Sequence, residues 1–184
     1  MNEGNAGIKL ETPLTEKNLA GLRAGDQVRI YGTIYTARDA AHARLVQLLG
    51  NNQPLPFPIQ NSIIFYCGPT PPKPGRPVGS CGPTTSYRMD SYAPVLIKNG
   101  LKGMIGKGAR GTEVLQAIRD NHAVYFAATG GAAAFLSKKV ISSKVIAYED
   151  LGPEAIHQFE VADFPVVVVN DIYGGDLYKN ALKN

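Results

Sequence analysis

Cysteine is scarce in this chain of 184 residues, which contains only Cys67 and Cys81. The two residues do not form a C-x-x-C pair, and no pair of such motifs with the spacing of a zinc site occurs. An iron–sulfur cluster needs about three or four thiolate ligands, so this chain cannot hold one alone. A disulfide between the two would be unusual in a reducing compartment. The sequence therefore predicts no metal site in this chain.

Long apolar runs and basic runs are also missing. No stretch approaches the roughly 20 apolar residues of a membrane-spanning helix, and residues 1–11 lack the apolar core of an export signal. The net charge is +4, but the lysine and arginine residues are scattered, unlike those of nucleic-acid-binding proteins. We therefore expect a cytoplasmic protein that binds neither membranes nor nucleic acid and whose positive charge attracts small anions.

The composition, 44% hydrophobic and 18% charged, indicates a globular chain. Its length suits a single domain over residues 1–184. Patterns of alternation and helical spacing predict strands at 27–36, 62–67, 103–105, 123–127, 140–148, 158–161 and 164–169, and helices at 38–49, 84–98, 111–121, 131–136 and 174–184. Because helices and strands interleave, the sequence predicts a layered α/β domain.

One long segment, residues 68–83, is dominated by proline and glycine. Such a composition cannot form the interior of a regular helix or strand. Irregular stretches of this length inside a compact domain are usually functional or mobile. We predict a mobile loop.

The first polar motif, Thr36–His42, lies where a predicted strand gives way to a helix. Asp39 suits the positive end of the helix dipole, and His42 lies three residues further on, on the same face. An aspartate beside a histidine can fix its tautomer and raise its basicity. Arg38 at the junction is free to reach a ligand. The alternative is an ordinary helix start with a surface ion pair.

The second motif, Gly82–Asp90, follows the proline- and glycine-rich segment. Thr84 and Thr85 supply hydroxyls at a predicted helix start, where exposed backbone N–H groups favour anions. Arg88 lies about one turn later and can grip a carboxylate with two parallel hydrogen bonds. An ordinary helix cap with a solvated arginine remains the alternative.

The third motif, Gly106–Gly111, places glycines around Lys107, so that the backbone can approach an anion closely. It is not a phosphate loop of the type GxxxxGK[ST], because Lys107 is followed by glycine. A stand-alone anion- or nucleotide-binding module, or a simple turn, remains possible from these residues alone. A fourth segment, Thr129–Ala134, consists of small residues and indicates close packing rather than catalysis.

Taken in order, these motifs resemble the C-terminal domain of class I (iron–sulfur) fumarate hydratases and L-tartrate dehydratases, which in some organisms is a separate β subunit. Each motif alone is weak evidence for this resemblance, whereas the ordered set of motifs is specific for the family. The set comprises TARDAAH, YCGP, GPTTSYRMD, IGKG, YFAATGGAAA and FPVVVVNDIYGGDLY.

The resemblance implies a swivelling β/β/α domain with mixed sheets. It implies a [4Fe–4S] cluster bound by a partner α subunit and not by this chain, with one iron acting as a Lewis acid on the substrate. The reaction would be reversible hydration of fumarate to malate, or dehydration of tartrate. The partner would form a hetero-oligomer with this chain, for example α2β2. A scaffold role, in which this chain only positions its partner, is a further alternative.

The resemblance also assigns roles to matching residues. Arg38, Arg88 and Lys107 would bind the carboxylates of a small dicarboxylate, and Thr84 would hydrogen-bond the substrate. The catalytic set would be Thr85, as the proton-transferring residue, with Asp39 and His42, which would support Arg38 and the site. A threonine hydroxyl is a poor base unless a neighbouring charge lowers its pKa.

Overall fold

The computed structural model describes residues 7–128 and 133–181 of the chain. The strands are β1 (Ile8–Glu11), β2 (Gln27–Thr36), β3 (Ile63–Phe65), β4 (Gly103–Gly106), β5 (Val124–Ala127), β6 (Val140–Ala147) and β7 (Ile156–Asn170). The α-helices are α1 (Glu16–Ala20), α2 (Asp39–Gly50), α3 (Ala93–Lys98), α4 (Thr112–Asp120), α5 (Ala133–Ser137) and α6 (Leu177–Ala181). Two short 3₁₀ helices span Ser86–Met89 and Glu149–Glu154.

The strands form one mixed sheet in the order β1-β2-β3-β4-β5-β7-β6. From β1 to β5, neighbouring strands run parallel, whereas β7 runs antiparallel to β5 and to β6. Strand β7 also pairs with β2, from Gln27 opposite Val167 to Tyr35 opposite Gln158. Because β7 pairs with both β2 and β5, the strands β2, β3, β4, β5 and β7 close into a barrel, whereas β1 pairs with β2 and β6 pairs with β7 outside this ring.

A glycine lets β2 follow this curvature. The register of β2 against β7 shifts between Ile30 and Gly32, which is the signature of a β-bulge, and bulges bend a strand and increase its twist. Gly32 has a φ of +102°, which a residue with a side chain adopts only with strain. The bulge therefore needs glycine at this position.

Two apolar clusters occupy the two faces of the barrel wall. The inner cluster includes Ile30, Phe65, Phe126, Phe159 and Phe164. The outer cluster packs the wall against α2, α3 and α4 and includes Leu45, Ile64, Leu96, Met104 and Ile118. Strands β3 and β4 are therefore buried on both faces, as is typical of parallel strands covered by helices.

The structure confirms a mixed α/β fold and most of the predicted elements. The predicted strands at 158–161 and 164–169 are parts of the single strand β7, which continues through a left-handed Asp163. The helix predicted at 84–98 is wrong as one element, because a 3₁₀ turn precedes α3 and Pro94 lies in the first turn of α3. Strand β1 and helix α1 were not predicted.

Other predictions fall partly or wholly outside the described residues. The helix predicted at 131–136 corresponds to α5, but its first two residues lie outside the described part. None of the helices in residues 7–128 and 133–181 is long and apolar enough to cross a membrane. The segment 68–83 contains neither a helix nor a strand, and its mobility stays a prediction.

We predict that Gly106→Ala destabilises the fold by about 1–3 kcal/mol, because overpacking a well-packed site has this cost. An added Cβ would lie 1.9 Å from the Ser86 hydroxyl oxygen and 2.9 Å from Tyr66 Cδ2. Urea unfolding measures the change. Gly50→Ala is the matched control, since a Cβ there meets no atom within 4 Å. Equal stability of the two variants would contradict the close approach.

Candidate functional site

Three of the polar motifs lie at one edge of the barrel, where parallel strands end. Strand β2 ends at Thr36 and leads to Arg38 and Asp39, β3 leads to Tyr66, and β4 leads to Lys107. Carboxyl ends of parallel strands are where α/β proteins usually bind ligands. The fold therefore brings together motifs that are far apart in the chain.

The segment Gly82–Asp90 lies across this edge and is fixed by backbone contacts. The N–H of Thr84 donates to the Tyr66 carbonyl at 2.6 Å, and the N–H of Ser86 donates to the Lys107 carbonyl at 2.9 Å. Thr85 forms a parallel bridge with Lys107. The two threonines are thus held at the ends of β3 and β4.

An ion pair links the first two motifs. Arg88 Nη2 donates to Asp39 Oδ2, and the side chains are 46% and 27% exposed. The other Asp39 oxygen is buried and has no hydrogen-bond partner among the described residues. A half-exposed arginine in such a pair remains accessible to an external anion.

Arg38 is paired with the carboxylate of Glu154, which no sequence motif identified. Its Nη2 lies 3.2 Å from Glu154 Oε1, and the other Glu154 oxygen accepts from the Ala40 N–H at 3.3 Å. Glu154 lies in the second 3₁₀ helix, far away in the chain, so no spacing pattern could have identified it. Arg38 Nε is buried without a partner in the described part.

Lys107 is exposed, like Arg88, but it differs from both arginines in its partners. Its ammonium group forms no ion pair within residues 7–128 and 133–181. The edge therefore presents three cations, of which two hold carboxylates of the chain itself. Such an arrangement suits a small dianion, whose carboxylates can replace or join the internal ones.

His42 is fully buried in α2, and its ring is held by the backbone. Its Nδ1 donates to the Arg38 carbonyl at 2.9 Å, so this carbonyl rather than Asp39 fixes the tautomer. Burial lowers the pKa of His42 to about 4. Asp39 does raise the pKa of His42, as expected, but desolvation of the imidazolium lowers it by more, so the net shift is downward.

Arg110 and Asp90 belong to the site's framework and were not singled out by sequence reasoning. Arg110 Nε donates to Asp90 Oδ1 at 2.7 Å, and the Gly111 N–H donates to Asp90 Oδ2 at 2.6 Å. The Arg110 side chain is completely buried and lies over the ring of Tyr125 at 4.9 Å. This pair ties the end of the segment Gly82–Asp90, hereafter the threonine segment, to the loop that contains Lys107.

Tyr125 adds a second tie between the same two segments. Its hydroxyl donates to the Gly108 carbonyl at 2.8 Å and lies 2.9 Å from the Ser86 hydroxyl. Burial raises the pKa of Tyr125 well above its usual value, so the phenol stays protonated and keeps both contacts. The fourth motif lies mostly outside the described residues, and Ala133 and Ala134 begin α5.

A family comparison and the most similar relatives agree with one another. The family model described as the fumarase C-terminus matches residues 1–181. The chain belongs to the fumarase C-terminus family. It is 39% identical to the putative L(+)-tartrate dehydratase subunit beta of Methanocaldococcus jannaschii, over 92% of this chain and 90% of that protein.

Two longer relatives carry fumarase names. The chain is 36% identical to fumarate hydratase 2 of Leishmania major, over 95% of this chain and 32% of that protein. It is 37% identical to the anaerobic class I fumarate hydratase of Escherichia coli, over 94% of this chain and 32% of that protein. The chain thus spans about a third of the length of these fumarate hydratases.

This fumarase C-terminus domain does not by itself fit an iron–sulfur cluster. Its two cysteines are both buried free thiols, fewer than the three or four thiolates that a cluster needs. Among the described residues, no three His, Cys, Asp or Glu side chains are grouped as metal ligands. The described residues therefore do not fit a cluster bound by this domain alone.

We predict that Asp90→Asn lowers the free energy of unfolding by about 3–5 kcal/mol, because it leaves the buried Arg110 cation uncompensated. Asp150→Asn is the matched control. It breaks the pair with Arg44, whose side chains are 39% and 63% exposed, and exposed pairs contribute at most about 1 kcal/mol. Chemical denaturation of both variants measures the difference. A loss below about 1 kcal/mol for Asp90→Asn would contradict this role of the pair.

His42 should make stability depend on pH between about 6.5 and 4. The folded pKa of about 4 lies below the unfolded value of 6.5, so the unfolded chain binds the proton first as pH falls. The contribution of His42 to the free energy of unfolding is complete above pH 6.5. As the pH falls towards 4, up to about 3 kcal/mol of stability is lost.

The measurement is the free energy of unfolding against pH, compared between the wild type and His42→Asn. Asparagine can still donate to the Arg38 carbonyl but does not titrate. Because His157 is present in both proteins, its contribution cancels in the comparison. Parallel pH curves for the two proteins would show that His42 does not titrate in this way.

Proposed function

We propose that this chain is the β subunit of a hydro-lyase of the fumarase type, which reversibly hydrates fumarate to malate together with a partner α subunit. The observation that carries the proposal is the convergence of Arg38, Arg88 and Lys107 beside Thr84 and Thr85. This convergence occurs at the carboxyl edge of the parallel strands. The family membership gives it chemical meaning.

In this proposal the three cations bind the two carboxylates of the substrate. Arginine binds a carboxylate through two parallel hydrogen bonds, each worth about 1.5–3 kcal/mol when charge-assisted. Asp39 and Glu154 hold Arg88 and Arg38 in place before the substrate arrives. Fixing both carboxylates orients the bond at which water adds or leaves, and such positioning lowers the barrier.

Proton transfer is assigned to Thr85, with Thr84 as the hydrogen-bonding neighbour. The backbone bridge between Thr85 and Lys107 places the two residues side by side, and a positive charge near a hydroxyl favours its ionised form. His42, which is buried and neutral, acts on Arg38 through the backbone carbonyl. Asp39 acts on Arg88. Both are therefore positioning residues here, although the sequence predicted them as catalytic.

The proposed partner is an α subunit that binds the [4Fe–4S] cluster, in a hetero-oligomer such as α2β2. An apolar groove of about 320 Å³ lies next to the site, between the proline-rich segment and β6. Its walls include Pro71, Val78, Val145 and Pro153, and Pro153 adjoins the Glu154 that binds Arg38. Apolar surface of this kind often marks a protein interface. We place the α subunit against it, with this domain swivelling to open and close the site.

A second candidate function is that of an L-tartrate dehydratase β subunit. The observation in its favour is the match over 90% of the length of a relative of that name, whereas the matched fumarate hydratases are about three times longer. Both substrates are dicarboxylates, so the same three cations would serve. A stand-alone anion-binding module is the remaining alternative.

The decisive experiment is joint expression of this chain with its candidate α subunit, with anaerobic reconstitution of the cluster. Loss of fumarate absorbance that requires both chains would establish the hydratase. Turnover of tartrate alone would assign the tartrate dehydratase. Absence of a complex and of turnover with either acid would leave the anion-binding module, which dicarboxylate titration of the isolated chain would test.

We predict that Arg88→Ala lowers kcat/KM of the assembled enzyme by about 10²–10⁴-fold, because two charge-assisted hydrogen bonds to substrate are lost. Arg23→Ala is the control, since Arg23 precedes β2 at the opposite edge and lies over the Tyr173 ring. Steady-state kinetics measures both variants, and circular dichroism checks folding. Full activity of a folded Arg88→Ala enzyme would contradict the assignment.

A further inference from the structure

The two cysteines lie together although they are distant in sequence. Cys67 follows β3, and Cys81 directly precedes the threonine segment. Both are free and buried and belong to the same inner apolar cluster. None of the roles proposed above uses either thiol.

Backbone hydrogen bonds hold this pair from both sides. On the side of the site, the Thr84 N–H donates to the Tyr66 carbonyl at 2.6 Å. On the other side, the N–H groups of Thr70 and Gly79 donate to the carbonyls of Ser80 and Thr70, each at 3.0 Å. The two cysteines therefore lie at the base of the loop between them, and residues 71–76 of this loop are exposed.

We propose that Cys67 and Cys81 are a modification site, at which a hydroperoxide oxidises the two thiols to an intramolecular disulfide. A disulfide requires an S–S distance of about 2.05 Å, and the backbone hydrogen bonds on both sides bring the two cysteines to the same end of the segment between them. A second thiol beside the first traps the initial oxidation product before it is oxidised further. The inference does not depend on the proposed activity.

The chemistry balances with hydrogen peroxide as oxidant. One sulfur, as thiolate, attacks the O–O bond, an S–O bond forms, and the departing hydroxide takes up the thiol proton to become water. The second sulfur then displaces the sulfenic hydroxyl, which leaves with that thiol's proton as a second water. The two sulfurs lose two electrons in total, and peroxide gains them.

The surroundings of Cys67 indicate what controls the rate of thiol oxidation. The neighbouring Cys81 thiol, and then burial, raise the pKa of Cys67 well above its usual value, while the Arg38 guanidinium opposes the shift. A protonated, buried thiol reacts slowly, so we expect opening of the segment 68–80 to limit oxidation. A Cβ built on Gly68, the residue after Cys67, would lie 3.2 Å from Arg38 Nη1, so the modification lies beside the carboxylate-binding edge.

The test uses the full isolated chain, reduced and then treated with hydrogen peroxide. After denaturation and alkylation, mass spectrometry counts free thiols, and peptide mapping locates any cross-link. We expect both thiols to disappear together, a peptide pair joined through Cys67 and Cys81, and recovery of both thiols with dithiothreitol. Cys81→Ala should form no intramolecular cross-link and should accumulate sulfinic acid at Cys67.

Two further readouts follow the same sample. Closing a loop of about 15 residues should raise Tm by about 5–10 °C, and amide exchange in 68–80 should slow. Thiols that persist in the folded chain, sulfinic acid at one wild-type cysteine beside a free second thiol, or cross-links only between chains would each overturn the proposal. A fall in Tm of the cross-linked chain would overturn the claim that the thiols are positioned for bonding.

Discussion

The pairing of β7 with both β2 and β5 is the constraint on which the rest of the structure depends. An open parallel sheet would leave β2 and β5 far apart, with unpaired edges. By running antiparallel to both, β7 closes the wall, so that the carboxyl ends of β2, β3, β4 and β5 border one rim. The threonine segment can then reach two strand ends at once through Tyr66 and Lys107.

Electrostatics at this rim follows from a division between buried and exposed charge. Arg110 is buried, paired with Asp90 and therefore structural in character. Arg38 and Arg88 are partly exposed, and each is paired with one carboxylate of the chain. His42 is neutral because the apolar interior disfavours its charged form. Chemically similar residues thus serve different roles because their solvation differs.

Periodicity located most strands and the motifs that follow them, because a buried strand and a helix start each leave a local signal. Local signals could not show that 158–161 and 164–169 form one strand, since a left-handed Asp163 interrupts the pattern. They also could not show Glu154 beside Arg38, or Asp90 beside Arg110. Those contacts join side chains that are distant in sequence and therefore leave no local signal.

The carboxylates of Asp39 and Glu154 have a consequence for selectivity. Each already occupies a guanidinium that a ligand would need, so an incoming anion must compete with a tethered one rather than with water alone. A monoanion such as chloride or acetate gains too little from one cation to displace a tethered carboxylate. A ligand with two correctly spaced charges engages several cations together, and its second contact forms at high effective concentration. In the proposed dicarboxylate site, we therefore expect the internal ion pairs to act as a threshold that favours dianions over simple anions.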